Sequence, residues 1–168
     1  MLTFNELYEQ YAPDVYRFAF WLSGNAADAD DLTSETFVRA WVGAGRDIQT
    51  ETIKAYLFTI ARNLYLKQKQ KENRYLTLEA TLVDEQSNPE RALAVKQELQ
   101  KVWSVLVDLP EIDRAAFILR VQYELPYAEI SRVLQLSLSA VKVKVHRTRL
   151  KLVLARMDDE VIEYGNHT

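Results

Sequence analysis

The chain has 168 residues with 24 acidic and 21 basic side chains, a formal charge of −3; it is long enough for one domain or two small ones and has no general excess of cations with which to coat a polyanion. Only four glycines and four prolines stand against abundant Leu, Ala, Val, Glu, Lys and Arg, which favours helices over a turn-rich β fold. Cysteine is absent and there are two histidines, His146 and His167, which excludes a disulfide framework, a thiolate metal site, a cysteine nucleophile and a His-rich metal site.

The first helix is expected from about Asn5 to Leu22, where Leu7, Tyr8, Tyr11, Val15, Phe18, Ala19 and Leu22 keep helical spacing. Pro13 predicts a kink or break within it. Ser23-Gly24-Asn25 stops that helix, and a second follows over AADADDLTSETFVRAWV. Asp28, Asp30 and Asp31 sit in its first turns, where the helix dipole favours anions; that placement explains them better than a cation site does. After a loop from Gly43 to about Thr52, a third helix is predicted from Ile53 to about Lys71, with Tyr56, Leu57, Ile60, Ala61 and Leu64 as its apolar stripe. Its C-terminal half is a basic island: Arg62, Lys67, Lys69, Lys71 and Arg74 against one acid, Glu72.

Residues 75–87 hold no clear period and are expected to be a linker, acidic and soluble. Asn88-Pro89-Glu90 reads as an N-cap followed by proline at the first helical position, opening a helix to Leu106 or Val107. Leu109-Pro110 ends it. Another helix is expected from Glu111 to about Val121, a short one from Tyr127 to Gln135, and a turn at Leu136 to Ser139.

The stretch Val141-Lys142-Val143-Lys144-Val145 alternates like a strand with one wet face. The alternation ends at His146, however, whereas Val141, Val145, Thr148, Leu152 and Ala155 keep a helical stripe for three turns. No partner strand is apparent, and a lone strand is not stable. A helix capped by Ser139 is expected, carrying Lys142, Lys144, Arg147, Arg149 and Lys151 against no acid. Short helix, turn and long basic helix make a helix-turn-helix, whose second helix presents its first turns to base edges in the major groove. Lys142 and Lys144 lie in those turns; the cations further along would flank phosphates. The fold class is therefore all-α, with two small helical domains at 1–74 and 88–157, a linker between them and an acidic tail at 158–168. The acidic, Pro13-broken start does not read as a signal peptide, and no apolar run reaches the roughly 20 residues needed to span a bilayer; a cytoplasmic location without membrane insertion is expected. No catalytic constellation stands out, no cofactor is expected, and His146 among cations is a poor metal ligand.

DADDLTSETFVRAW followed by IKAYLFTIARN resembles region 2 of sigma-70-type factors of the extracytoplasmic-function kind, and LPEIDRAAFILRVQYELPYAEISRVLQLSLSAVKVKVHRTRLKL resembles their region 4. The resemblance implies an RNA polymerase sigma factor, not an enzyme in its own right. It implies docking on the β′ clamp helices of core polymerase through Asp31, Leu32, Glu35, Phe37, Arg39 and Trp41, with Leu32, Phe37 and Trp41 equally assignable to the core. It implies contact of region 4 with the β flap. It implies −10 promoter DNA contacts by Arg46, Lys54, Arg62, Asn63, Lys67 and Lys69, with Tyr56, Phe58 and Tyr65 as candidate base stackers although aromatics at that spacing also suit a core. It implies −35 contacts by Ser139, Lys142, Lys144, His146, Arg147 and Arg149, a linker threaded towards the RNA path, and an anti-sigma partner. Family members commonly carry Gly where this chain has Glu124, Gln135 and Ser139, and a polar residue where it has Val143; a different backbone path at the turn and an atypical base readout are therefore expected. Leu150 and Leu154 point away from the predicted core stripe, either as an exposed apolar ridge or packed within the domain. Two other readings remain open at this point: a conventional helix-turn-helix regulator, which leaves the DADDLTSETFVRAW helix without a task, and a sigma mimic that titrates an anti-sigma factor, which has no need of two basic islands.

Overall fold

The computed structural model describes residues 2–43, 52–76 and 97–165, and these are helical with no strand among them. They belong to two compact units, 1–87 and 88–168.

The first unit packs three helices against one another: α1 (Phe4–Ser23), α2 (Ala26–Val42) and α3 (Ile53–Leu76). Side chains start each of them. Thr3 and Glu6 form a capping box on α1: the Glu6 N–H donates to Thr3 Oγ1 at 3.3 Å and the Thr3 N–H donates to Glu6 Oε2 at 2.8 Å. These bonds from Thr3 hold the Glu6 carboxyl below its ordinary pKa. Asn25 Oδ1 accepts from the N–H groups of Ala27 and Asp28 at the start of α2, and Thr52 Oγ1 accepts from Ala55 N–H at the start of α3. Gly24 ends α1 at φ 68°, a left-handed conformation that suits glycine.

Of the kink or break expected at Pro13, the break does not occur: α1 continues through it. Proline removes one helical hydrogen bond and crowds the preceding turn, and the buried face formed by Leu7, Val15, Phe18, Ala19 and Leu22 holds both halves in one helix. The core centres on aromatics: Phe18 and Phe58 lie 4.8 Å apart between centroids, and Tyr8 meets Phe37 edge-on at 4.9 Å. α3 continues to Leu76, two residues into the expected linker; the rest of that linker and the Asn88 cap lie outside the described residues.

The second unit contains α4 (Gln97–Val107), α5 (Glu111–Val121), α6 (Tyr127–Leu134) and α7 (Leu138–Gly165). Pro110 and Pro126 precede α5 and α6 and cap neither with a side chain; proline's fixed φ sets the entry instead. Leu106, Leu119, Ile130, Val133, Val141 and Val145 are fully buried together with Ala115 and Ala116. The Val141–Val145 stretch is thus helical, with its two outer valines in the core.

Two expectations for this unit are corrected. The N-cap of α7 is Ser137, not Ser139: Ser137 Oγ accepts from Ala140 N–H at 3.2 Å, and Ser139 lies inside the helix. The turn is correspondingly shorter, because Gln135 reverses the chain in one residue at φ 54°. The backbone path expected to change without glycines is left-handed at both Glu124 (φ 53°) and Gln135 (φ 54°). Hydrogen bonds over-determine both positions: Leu125 N–H reaches Leu119 O at 3.1 Å, Leu136 N–H reaches Ser131 O at 3.1 Å, and the Ser131 hydroxyl donates to Leu136 O. α7 itself continues through 158–165, into the expected acidic tail; no proline or glycine interrupts it before Gly165.

Candidate nucleic-acid interface

In the first unit the sequence-assigned −10 residues divide by position on α3. Asn63 and Lys67 are exposed and, with Arg39, Tyr56 and Ile60, line a shallow open depression of about 490 Å³ where the end of α2 meets the middle of α3. The Tyr56 hydroxyl donates to Gly43 O at 3.3 Å, which ties the two helices together at its edge. Lys69 is exposed, with Nζ 3.3 Å from Glu72 Oε2 and 5.8 Å from the centre of the Tyr65 ring. Lys54 forms a 3.2 Å ion pair with Asp14 of α1. Arg62 is 8% exposed: it stands four residues after Phe58 and three before Tyr65, on the apolar side of the helix, and is buried with them. Of the candidate stackers, Phe58 and Tyr65 are buried and Tyr56 alone is half-exposed at the depression. Arg46 lies outside the described residues.

On α2 the periodicity separates two faces. Leu32 and Phe37 are buried, which places them in the core. Asp31, Glu35, Arg39 and Trp41 are exposed, and Glu35 pairs with Arg39 at 2.9 Å. Trp41 lies edge-on to Phe4 with centroids 5.6 Å apart. Val38 (55% exposed) and Val42 (79%) continue this side of the helix as an apolar strip. From sequence Val38 reads with Leu32, Phe37 and Trp41 as the apolar side of the helix and Val42 is not assigned; neither valine is marked there as part of a binding surface.

In the second unit α6, the Gln135–Ser137 turn and α7 form the helix-turn-helix. Val141, Val145 and Thr148 face inward, so Ser139, Val143, His146 and Arg147 form the outward line of the first turns; they are exposed, as are Lys142 and Arg149 on one flank. Lys142 lies 5.7 Å from the centre of the Tyr127 ring, whose other cationic neighbour is Arg120 at 4.3 Å. Lys144 differs from the other cations: it is half-buried on the opposite flank and holds Asp113 of α5 at 2.7 Å. Asp113, Arg120 and Tyr127 were not assigned from sequence. Asp113 lies 31 positions from Lys144, and no local pattern marks so distant a pair. Leu150 (49%) and Leu154 (58%) are exposed, as the first alternative for them required.

Among the described residues no group of carboxylates and histidines is arranged to hold a metal ion, and no helix is long and apolar enough to cross a membrane.

Residues 7–75 match the Sigma-70 region 2 family model and residues 99–152 match that of Sigma-70, region 4. The ECF RNA polymerase sigma factor SigE of Mycolicibacterium smegmatis is 35% identical over 158 residues, an alignment covering 90% of this chain and 61% of SigE. ECF RNA polymerase sigma factor SigM of Bacillus subtilis is 29% identical over 153 residues, covering 90% of this chain and 93% of SigM. The sigma factor RpoE of Bartonella quintana, solved in complex with the anti-sigma factor NepR, shares the fold at a TM-score of 0.76 and 24% identity, over 92% of this chain and 96% of that one. Two regions of one family in their proper order, one on each compact unit, place the chain in the sigma-70 family of RNA polymerase sigma factors, extracytoplasmic-function type.

Proposed function

We propose that this sigma factor binds core RNA polymerase through the exposed side of α2 and delivers it to promoters that it recognises at two elements. Asp31, Glu35, Arg39 and Trp41, with Val38 and Val42 beside them, form the surface for the β′ clamp helices; mixed charge around an apolar strip suits a helical partner. Asn63 and Lys67 at the depression, with Tyr56 at its edge, receive an unstacked base of the −10 element while Lys69 faces the backbone. Ser139, Lys142, His146, Arg147 and Arg149 lie in the major groove of the −35 element, with the second unit against the β flap. The observation carrying this reading is that exposed cationic faces occur on α3 and α7, one in each unit of a net-acidic chain. Weak overall attraction to DNA suits a factor that binds promoters after polymerase recruits it. The proposed setting is the cytoplasm, and the proposed regulator is an anti-sigma factor, in parallel with RpoE and NepR.

The test is to combine the purified chain with core RNA polymerase and a genomic promoter library and to map transcript starts. Specific initiation is the expected outcome. Tight binding of DNA by the chain alone, without initiation, fits a conventional regulator. Capture of an anti-sigma factor with neither activity fits a mimic. Glu35→Ala with Arg39→Ala should lower core binding and leave the −35 preference of the remaining complexes unchanged.

A further inference from the structure

The outward line of α7 contains one apolar side chain where it would meet the bases. Val141, Val145 and Thr148 are buried, so at 3.6 residues per turn the positions furthest from the core in the first turns are Ser139, Val143, His146 and Arg147. Val143 is 44% exposed. The lysines on either side of it in sequence stand on the flanks: Lys142 is exposed 5.7 Å from the centre of the Tyr127 ring, and Lys144 holds Asp113. At its point of nearest approach the helix therefore presents a branched hydrocarbon, with Ser139, His146 and Arg147 around it.

The major-groove edge of a base pair consists of hydrogen-bond donors and acceptors, with one apolar group among them, the C5-methyl of thymine. A hydroxyl or amide at position 143 could bond to any base edge, whereas valine gains only from that methyl and leaves a donor or acceptor without a partner elsewhere. We infer that Val143 is a specificity-determining residue that reads a thymine methyl within the −35 element. The inference rests on the proposed promoter-reading role of α7 and adds to it the identity of one base.

The test is initiation by the full chain with core RNA polymerase on a promoter it uses, with each thymine of the −35 element on either strand replaced singly by uracil. Uracil keeps every donor and acceptor and removes only the methyl. One position should lose about four-fold, the effect of a single methyl group left in water. Val143→Ser should abolish the difference between thymine and uracil at that same position. Because Val143 is exposed, the serine variant should melt with the parent chain. No uracil-sensitive position, or equal sensitivity in both chains, overturns the assignment while leaving the role of α7 standing. Failure to initiate from any promoter overturns the promoter-reading role, and the assignment with it.

Discussion

The two units carry similar runs of cations in sequence and dispose of them differently. On α3, Lys67 and Lys71 are exposed, but Arg62 is buried, Lys69 is paired with Glu72, and Lys54 at the start of the helix is paired with Asp14. On α7, Lys142, His146, Arg147 and Arg149 are exposed, and Lys144 is held by Asp113 of a neighbouring helix. Charge density along a chain therefore overstates the charge a polyanion meets, by an amount that depends on what the helix packs against. The units also begin their helices differently: side-chain oxygens of Thr3, Asn25 and Thr52 accept the cap hydrogen bonds in the first, while Pro110 and Pro126 stand before α5 and α6 in the second and Ser137 caps α7.

The largest expected effect concerns Phe58, assignable from sequence either to base stacking or to the core. Phe58→Ala should cost about 3–5 kcal/mol by opening a cavity, a large part of the usual stability of a domain, and circular dichroism on heating should show the first unit unfolding early. A variant that melts normally and loses only −10 recognition would make α3 as open a surface as α7.

Next in size is the contrast within α7. Arg147→Ala should weaken promoter binding by about 1–3 kcal/mol and make the log–log dependence on salt shallower by about one unit. Lys144→Met should cost less and leave the slope unchanged, since its charge already belongs to Asp113. Equal slopes for the two variants, measured by salt titration of promoter binding, would erase the distinction.

Smaller still is the strain at the turn. Gln135→Gly removes the side-chain penalty of a left-handed residue, and the second unit should gain up to about 1 kcal/mol in thermal or denaturant unfolding. A loss would mean that the Gln135 side chain stabilises the turn.

The smallest effect lies at the α1 cap. Glu6 has a lowered pKa in the folded chain because it accepts hydrogen bonds from Thr3. Its contribution to stability is present above its unfolded pKa and is lost as pH falls through the lower folded value. Glu6→Gln should therefore reduce the difference in melting temperature between neutral and acidic solution, compared with the parent chain.

Much of the fold is legible in the sequence because the core stripes are periodic: α2 occupies Ala26–Val42 as its apolar spacing and flanking Asn25 and Gly43 imply. The helical reading of Val141–Val145 required looking beyond the alternation to Thr148. The position of the cap was harder. Ser137 and Ser139 are equivalent in chemistry, and the choice between them follows from the left-handed Gln135, a position where side-chain sterics argue against the observed conformation. The candidate site is less legible. Arg62 belongs to an apolar face by spacing, but a cation there reads as a nucleic-acid contact until packing is known. The partnership of Lys144 with Asp113 exists only once α5 and α7 lie together.

α7 spans 28 residues, about 42 Å of continuous rod, and only its first turns can enter a groove about 12 Å wide. Leu150 and Leu154 lie exposed on the helix after those turns. The helix therefore carries apolar surface that the turns proposed to read DNA do not use.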